Sequence, residues 1–420
     1  MDKSVIHRLA IAVAFLALPA SSGAQLALPP LAGVGGGVVG GVVDRMGAIA
    51  GSGLAPVTGV VRSAASLAQE RVERLAQFVA QNRAVVELDL DRAPARRGEL
   101  LLLDPDPATI SAAQGSGYTV IEQGQIDGLD VAFARLEVPK ERSLAQGEKA
   151  LRRLIPGKTI SADPLHFASG SSDRASIVAG SGAGQSSVPL QRGGSVGVID
   201  GGMPAGGAVA AQAGFATGAP KASGHAQAIR SLLLGAGVTR IYAADVYGTD
   251  PAGGSAFAIA RALGWMAQNR VPVVSISLVG PANPLLERAV ASAQARGMVV
   301  VAAVGNDGPA APPAYPASYG GVIAVTGVDK NGRVLFEAGR AVHVDYAAPG
   351  ADVSAIGLDG RRQRLRGTSF AAPLAASRIA ANRSLGASAA AAIARTNAEA
   401  IANGARSGRG IVCGGCRAGL

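Results

Sequence analysis

The sequence predicts an α/β protein, a mostly parallel sheet flanked by helices on both faces, preceded by a small α+β unit. Three observations predict it. From residue 195 onward, apolar strand-like runs alternate with helical runs, the pattern of strands joined by crossover helices. Residues 99–167 carry a shorter order, β-α-β-β-α-β, which is ferredoxin-like. Between the two lies a Gly/Ser-rich stretch, 168–194, which reads as a linker. At 420 residues the chain has room for two or three domains and a large core.

Lys3 and Arg8, the apolar run 9–20 and the small residues 21–24 read as a secretory signal over 1–24, with cleavage after Ala24. The apolar run is too short to span a bilayer comfortably, so no stable membrane span is expected and the protein is expected to be secreted or periplasmic. Residues 25–98 hold a Gly/Ala/Pro/Val linker and then an amphipathic segment, 61–83. Leu67, Val72, Leu75, Phe78 and Val79 fall near one helical stripe there, predicting a docking helix.

In 99–167, "ELLLL" (99–103), 118–123, 129–138 and 158–167 read as strands. Residues 107–117 and 143–155 read as helices, the second opened by Ser143 as N-cap, and Asp127-Gly128 marks a turn. In 195–403, strands are predicted at 195–200, 240–248, 271–280, 298–307 and 321–329. Helices are predicted at 225–235, 255–269 and 283–297. The stretch between residues 200 and 225 reads as a Gly/Ala loop. The last segment, 404–420, is a tail whose "CGGC" holds Cys413 and Cys416, either a small disulfide or two free thiols.

Hydrophobic residues make up 48% of the chain but aromatics only 4%, so Ala and Gly supply much of the core and elements should pack closely. The net charge of +10 comes from scattered Arg without a basic block interleaved with aromatics, which argues against a nucleic-acid surface. A lone CxxC cannot supply four zinc ligands, and no Asp-rich loop stands out for calcium; no cofactor is expected.

In a parallel sheet, chemistry gathers at the carboxyl ends of the strands. "SVGVID" ends at Asp200, where a carboxylate can orient a histidine or simply cap a turn. The chain holds four His. His7 lies in the signal, His166 upstream, and His343 has no motif around it. His225, opening an apolar helix, is therefore the leading base. "VVVAAVGNDG" ends at Asn306, whose amide can hydrogen-bond a developing oxyanion or fill a turn. Ser369, in "RLRGTSFAAPLAAS", stands where a helix begins. The unpaired N–H groups and the field there favour negative charge beside the hydroxyl, and Pro373 should bend the helix start. Each residue alone has a bland structural reading. The order Asp, His, Asn, Ser differs from that of an α/β-hydrolase, and "GTSFA" is not G-x-S-x-G.

With these motifs in this order, about 195–400 resembles the subtilisin-like serine peptidases, the subtilases (peptidase S8). "VIDGG" is similar to their Asp motif and "GHAQAIRSLLLG" to their His motif. "SLVGPAN" is similar to their substrate-binding strand, "VVAAVGNDG" to the oxyanion segment, and "YAAPG" with "GTSFAAP" to the serine segment. The resemblance implies an exported endopeptidase, made as a self-processing zymogen, that acts on polypeptides as a monomer. It implies Ser369 as nucleophile, His225 as base then acid, Asp200 as its orienter, and Asn306 with the Ser369 N–H as oxyanion donors. Ser277, Leu278, Val279, Ala303, Val304 and Gly305 would flank the first substrate pocket. It makes 99–167 a propeptide that inhibits in cis, cut within 168–194. Departures are Gly201 after the Asp, Ala226-Gln227 after the His, and Val279 where many relatives carry Gly. Val279 predicts a preference for small or medium side chains at the cleaved residue. Relatives often bind structural calcium. A catalytically silent binding protein, or an esterase using the same triad, remains open at this point.

Overall fold

The computed structural model describes residues 63–169 and 192–419. The expected signal, the expected linker 25–60 and residues 170–191 of the expected linker 168–194 lie outside the described residues.

The chain opens with helix α1 (Ala64–Gln81), whose N-cap Ser63 accepts from the Ser66 N–H. The expected apolar stripe is only partly used: Leu67 is buried, while Val72 is 57% exposed and faces solvent. The small unit follows: β1 (Val86–Leu88), β2 (Pro94–Leu103), α2 (Pro107–Gly115), β3 (Thr119–Gln125), β4 (Ala132–Glu137), α3 (Leu144–Leu154) and β5 (Ile160–Pro164). Its antiparallel sheet runs β1-β2-β4-β3, with β5 also paired to β2. Without β1 the order is β5-β2-β4-β3, the ferredoxin-like arrangement. The four-leucine run in β2 faces two cores at once. Leu100 and Leu102 point to the unit's own helices, with Leu136 and Leu151. Leu101 and Leu103 point the other way, into the core of the large domain. Alternation with both faces buried is why the run shows no polar face.

A two-residue strand, β6 (Phe167–Ala168), leads out of this unit. The large domain then lays down β7 (Ser195–Asp200), β8 (Val209–Gly214), α4 (Gly224–Gly235), β9 (Arg240–Asp245), α5 (Ala256–Gln268), β10 (Val273–Ile276), β11 (Leu278–Val279), α6 (Pro284–Ala295), β12 (Val299–Ala303), β13 (Ile323–Val328) and β14 (Tyr346–Pro349). Beyond these come the hairpin β15 (Val353–Ile356) and β16 (Arg362–Leu365), then helices α7 (Thr368–Arg383) and α8 (Ala389–Glu399). The seven-stranded sheet runs β14-β13-β12-β10-β7-β9-β8, and every pairing in it is parallel. Helices α5 and α6 cover one face, with the small unit beyond them. Helices α4 and α7 cover the other.

Edge strand β8 lies where a Gly/Ala loop was expected. Its "VAAQAG" has little β-branched or aromatic character, and pairing with β9 makes it a strand. The segment after 404 is not a free tail. Ile411 bridges to Ala347 and Ile401, Cys413 is buried, and Cys413 is disulfide-bonded to Cys416.

The small unit docks where two glycines meet. A Cβ on Gly264 of α5 would lie 2.1 Å from the Asp127 carbonyl oxygen, and one on Gly128 would lie 2.4 Å from the Gly264 carbonyl. Gly128 also has φ +79°, a turn conformation that favours glycine. A side chain at 264 suits the helix but pushes the turn off it. Gly264→Val should therefore speed hydrogen exchange in β2–β4 while β10 and β12 stay protected; equal loss in both regions would contradict this docking role.

Candidate active site

Four segments converge at the carboxyl ends of the central strands. Asp200 is the last residue of β7 and is buried. Its Oδ1 accepts the Gly201 N–H at 2.8 Å. A Cβ on Gly201 would come within 2.4 Å of the Ser223 Oγ, and Ser223 is the N-cap of α4. The cap serine occupies the space a larger residue at 201 would need, which accounts for Gly201.

His225 is the second residue of α4. Its Nδ1 lies 2.9 Å from Asp200 Oδ2 and 3.0 Å from Oδ1. Two acceptor oxygens facing Nδ1 place the ring proton there and leave Nε2 as the basic nitrogen. Burial pushes the imidazole pKa down, but the Asp200 charge and hydrogen bond outweigh it and hold the pKa above its ordinary value. The ring packs against Phe370, with centroids 5.3 Å apart. The Ala226-Gln227 pair that follows has its own places: Ala226 is buried, and Gln227 donates to the Ile356 carbonyl.

Ser369 is the second residue of α7, whose N-cap is Gly367 with φ +144° and no side-chain cap. Asn306 caps the helix instead, its Oδ1 accepting the Thr368 N–H at 2.9 Å. Thr368 Oγ1 donates to the Gly305 carbonyl. Helix α7 and the loop after β12 thereby fix each other. Ser277 Oγ donates to the Ser369 carbonyl at 2.8 Å. Ser369 Oγ and His225 Nε2 are both buried, and neither has a hydrogen-bond partner. Asp200 and His225 are thus joined by hydrogen bonds, and the serine hydroxyl is not bonded to the imidazole.

The site is occupied by the chain itself. Phe167 pairs with Val279 and Ala168 with Leu278, antiparallel. The Ser169 N–H and Oγ both donate to the Ser277 carbonyl at 2.9 Å. The Ser169 carbonyl oxygen accepts from the Ser369 N–H at 3.3 Å and from Asn306 Nδ2. Ala168 and Ser169, read from sequence as the first residues of the linker, are instead the end of this strap. Backbone pairing of this kind leaves no side-chain signature, so only the extended run through Phe167 pointed toward it. Of the expected pocket residues, Ser277, Leu278 and Val279 meet the strap directly. Ala303 is buried in β12, and Val304 follows it with its N–H on the Val325 carbonyl. Gly305 sits against Val279, where a Cβ would lie 3.3 Å from Cγ1.

Two buried groups just before the strap have no role in the sequence reading, which sets His166 aside and does not weigh Asp163. His166 is fully buried with both ring nitrogens unpartnered, and desolvation lowers its pKa to about 4. A Cβ on Gly280 would lie 2.6 Å from its ring. Asp163 is also buried, accepting the Phe257 N–H at 2.9 Å through Oδ1 with Oδ2 unpartnered. Desolvation raises its pKa to about 6. Among the described residues no group of three or more His, Cys, Asp or Glu could hold a metal ion. No described helix is long and apolar enough to cross a membrane.

Asp163 and His166 pull stability in opposite directions. A raised acid pKa favours the folded form at low pH, a gain lost as pH rises through about 6. A lowered histidine pKa favours it above the ordinary value, a gain lost as pH falls toward about 4. Asp163→Asn should therefore lower the urea midpoint on acidification from pH 6.5 to 4 relative to wild type, and His166→Phe should raise it. Parallel shifts of both variants would contradict the assignment.

Residues 202–407 match the subtilase family model, which starts just after Asp200. Subtilisin BL of Lederbergia lenta is 37% identical over 134 residues, 32% of this chain and 49% of that protein. Subtilisin DY of Bacillus licheniformis is 36% identical over 137 residues, 32% of this chain and 50% of that protein. The chain thus spans about half the length of the curated relatives it matches. Among solved structures, fervidolysin from Fervidobacterium pennivorans, described as a keratinolytic enzyme related to subtilisin, aligns with TM-score 0.61 at 15% identity. That alignment covers 78% of this chain and 61% of fervidolysin, a likeness of fold.

Proposed function

From the match of residues 202–407 to the subtilase family model, we propose that the protein is an exported serine endopeptidase, made as a self-processing zymogen. The observation that carries this reading is the Ser169 carbonyl oxygen between the Ser369 N–H and Asn306 Nδ2, at the end of a strand paired with the 277–279 edge. A peptide carbonyl lying there is where an acyl-transfer reaction needs one.

The chemistry follows from the atoms. Ser369 Oγ attacks the Ser169 carbonyl carbon while His225 Nε2 takes its proton. Asp200, on Nδ1, stabilises the imidazolium. The carbonyl oxygen becomes an oxyanion held by Asn306 Nδ2 and the Ser369 N–H. On collapse, His225 gives the proton to the Gly170 nitrogen, the Ser169–Gly170 bond breaks, and Ser169 is left as an ester on Ser369. Water, activated by the same imidazole, hydrolyses it. The step requires a motion that brings Ser369 Oγ onto His225 Nε2, both unpartnered in this structure. The small unit, with Phe167–Ser169 in the cleft, then acts as propeptide and inhibitor. A serine on the acyl side of the cut agrees with the small-residue preference expected from Val279. The secretory signal expected over 1–24, with cleavage after Ala24, supports export.

The full chain expressed in a protease-deficient host should shorten to a fragment beginning Gly170-Ser171-Ser172, and Ser369→Ala should stay intact. A new N-terminus elsewhere, or equal shortening of both chains, overturns self-processing after Ser169. A wild-type chain that stays intact and whose Ser369 a fluorophosphonate fails to label favours the silent binding reading.

Asn306→Ala should lower kcat by about 10²–10³ through loss of one oxyanion donor. In wild type, activity should fall with acid as His225 protonates, with a midpoint above the ordinary histidine value. Asn306→Ala should leave that midpoint in place, because Asp200 sets it. An acid limb that moves with Asn306 would contradict the separation of roles.

A further inference from the structure

Helix α1 packs against the large domain beside the cleft. Near its start, Leu67 is buried against Gly308: a Cβ added to Gly308, φ +84°, would meet Leu67 Cδ1 at 2.9 Å. One turn on, Arg71 Nε lies 3.1 Å from Asp307 Oδ2, and Arg74 Nη2 lies 2.5 Å from Asp307 Oδ1. Asp307 directly follows Asn306, the residue holding the Ser169 carbonyl. Near the helix end, Phe78 packs edge-on against Phe167 with centroids 5.0 Å apart, and Val79 joins a cluster with Val86, Leu165 and Ala252. The helix is thus held at one end next to the oxyanion asparagine and at the other on the strap. Leu67, Arg71 and Arg74 stand at i, i+4 and i+7, one face of a helix.

We propose that Asp307 and Gly308 form an exosite on the peptidase domain and that Ala64–Gln81 is its resident ligand, a second inhibitory segment that keeps the cut strap in the cleft. This rests on the self-processing reading above. Gly308 lets an apolar side chain approach its backbone, and the Asp307 carboxylate receives two guanidinium groups from the next turn. The site therefore accepts an amphipathic helix with a Leu-x-x-x-Arg-x-x-Arg face. The strap alone adds only a two-residue strand pairing and the contacts of Ser169. The helix adds contacts that cleavage after Ser169 does not break.

The test uses the full chain. In a Ser369→Ala background, Arg71→Glu/Arg74→Glu should speed hydrogen exchange in 64–81 by about five-fold or more, since two attractions become repulsions. Exchange in β2, β4 and β10 should stay unchanged. Adding Asp307→Arg to that double variant should restore protection of the helix. In a processing-competent background, the double variant should release its N-terminal fragment, and reach full peptidase activity, sooner than wild type. Unchanged helix exchange, or no rescue by Asp307→Arg, overturns the exosite. Unchanged fragment release with faster helix exchange overturns the inhibitory role. If the double variant loses protection throughout the small unit, Leu67→Ala supplies the same readout without charge reversal. Failure of the wild-type chain to process would count against the proposed function, and the exchange arm would still decide the exosite.

Discussion

The structure depends on one short backbone pairing, Phe167–Ala168 against Leu278–Val279. It lays the end of the small unit along the 278–279 edge of the cleft and directs the next carbonyl, that of Ser169, onto two N–H donors. Such a bond between a neutral carbonyl and an amide contributes about 1 kcal/mol net. Its consequence is larger than its strength, because it fixes which peptide bond lies against Ser369. Docking of the small unit on α5, through Gly128 and Gly264, sets the strap's path to that point.

Asn306 couples the two halves of this arrangement. Its Oδ1 caps α7 at Thr368, which settles the orientation of the carboxamide and leaves Nδ2 pointing at the strap carbonyl. A helix without a cap side chain at Gly367 thereby gains one from a loop far away in sequence. The same bond locates Ser369, the next residue of that helix. Asp200 plays a comparable part for His225, and Ser223 completes it by capping α4 in the space Gly201 leaves open. Positioning throughout the site is done by helix starts, where backbone N–H groups lack intrahelical partners and can be used by other groups.

Much of this was legible in the sequence, for physical reasons. The parallel strands are nearly continuous apolar runs because both faces are covered, so their ends at Asp200 and Asn306 stood out. Helix starts at His225 and Ser369 followed from small and capping residues. Strand β8 was not legible, because Ala and Gly pair in an edge strand without announcing it. The stripe on α1 was overestimated at Val72, which faces solvent, whereas Leu67 is buried and Leu75, Phe78 and Val79 are half-buried. The strap was cut short at Phe167, because a Gly/Ser composition reads as linker even where the backbone is held on both sides. Asp163 passed unnoticed and His166 was set aside only as a candidate base, since burial of a lone polar side chain is a property of tertiary packing.

The most direct measurement is of the Asn306 carboxamide by nitrogen-resolved NMR in the full-length Ser369→Ala chain. One of its side-chain protons should resonate downfield and exchange slowly with water, and both features should weaken when Phe167 and Ala168 are replaced by proline to break the strap pairing. A carboxamide with the shift and exchange rate of an exposed asparagine, indifferent to those replacements, would contradict the account.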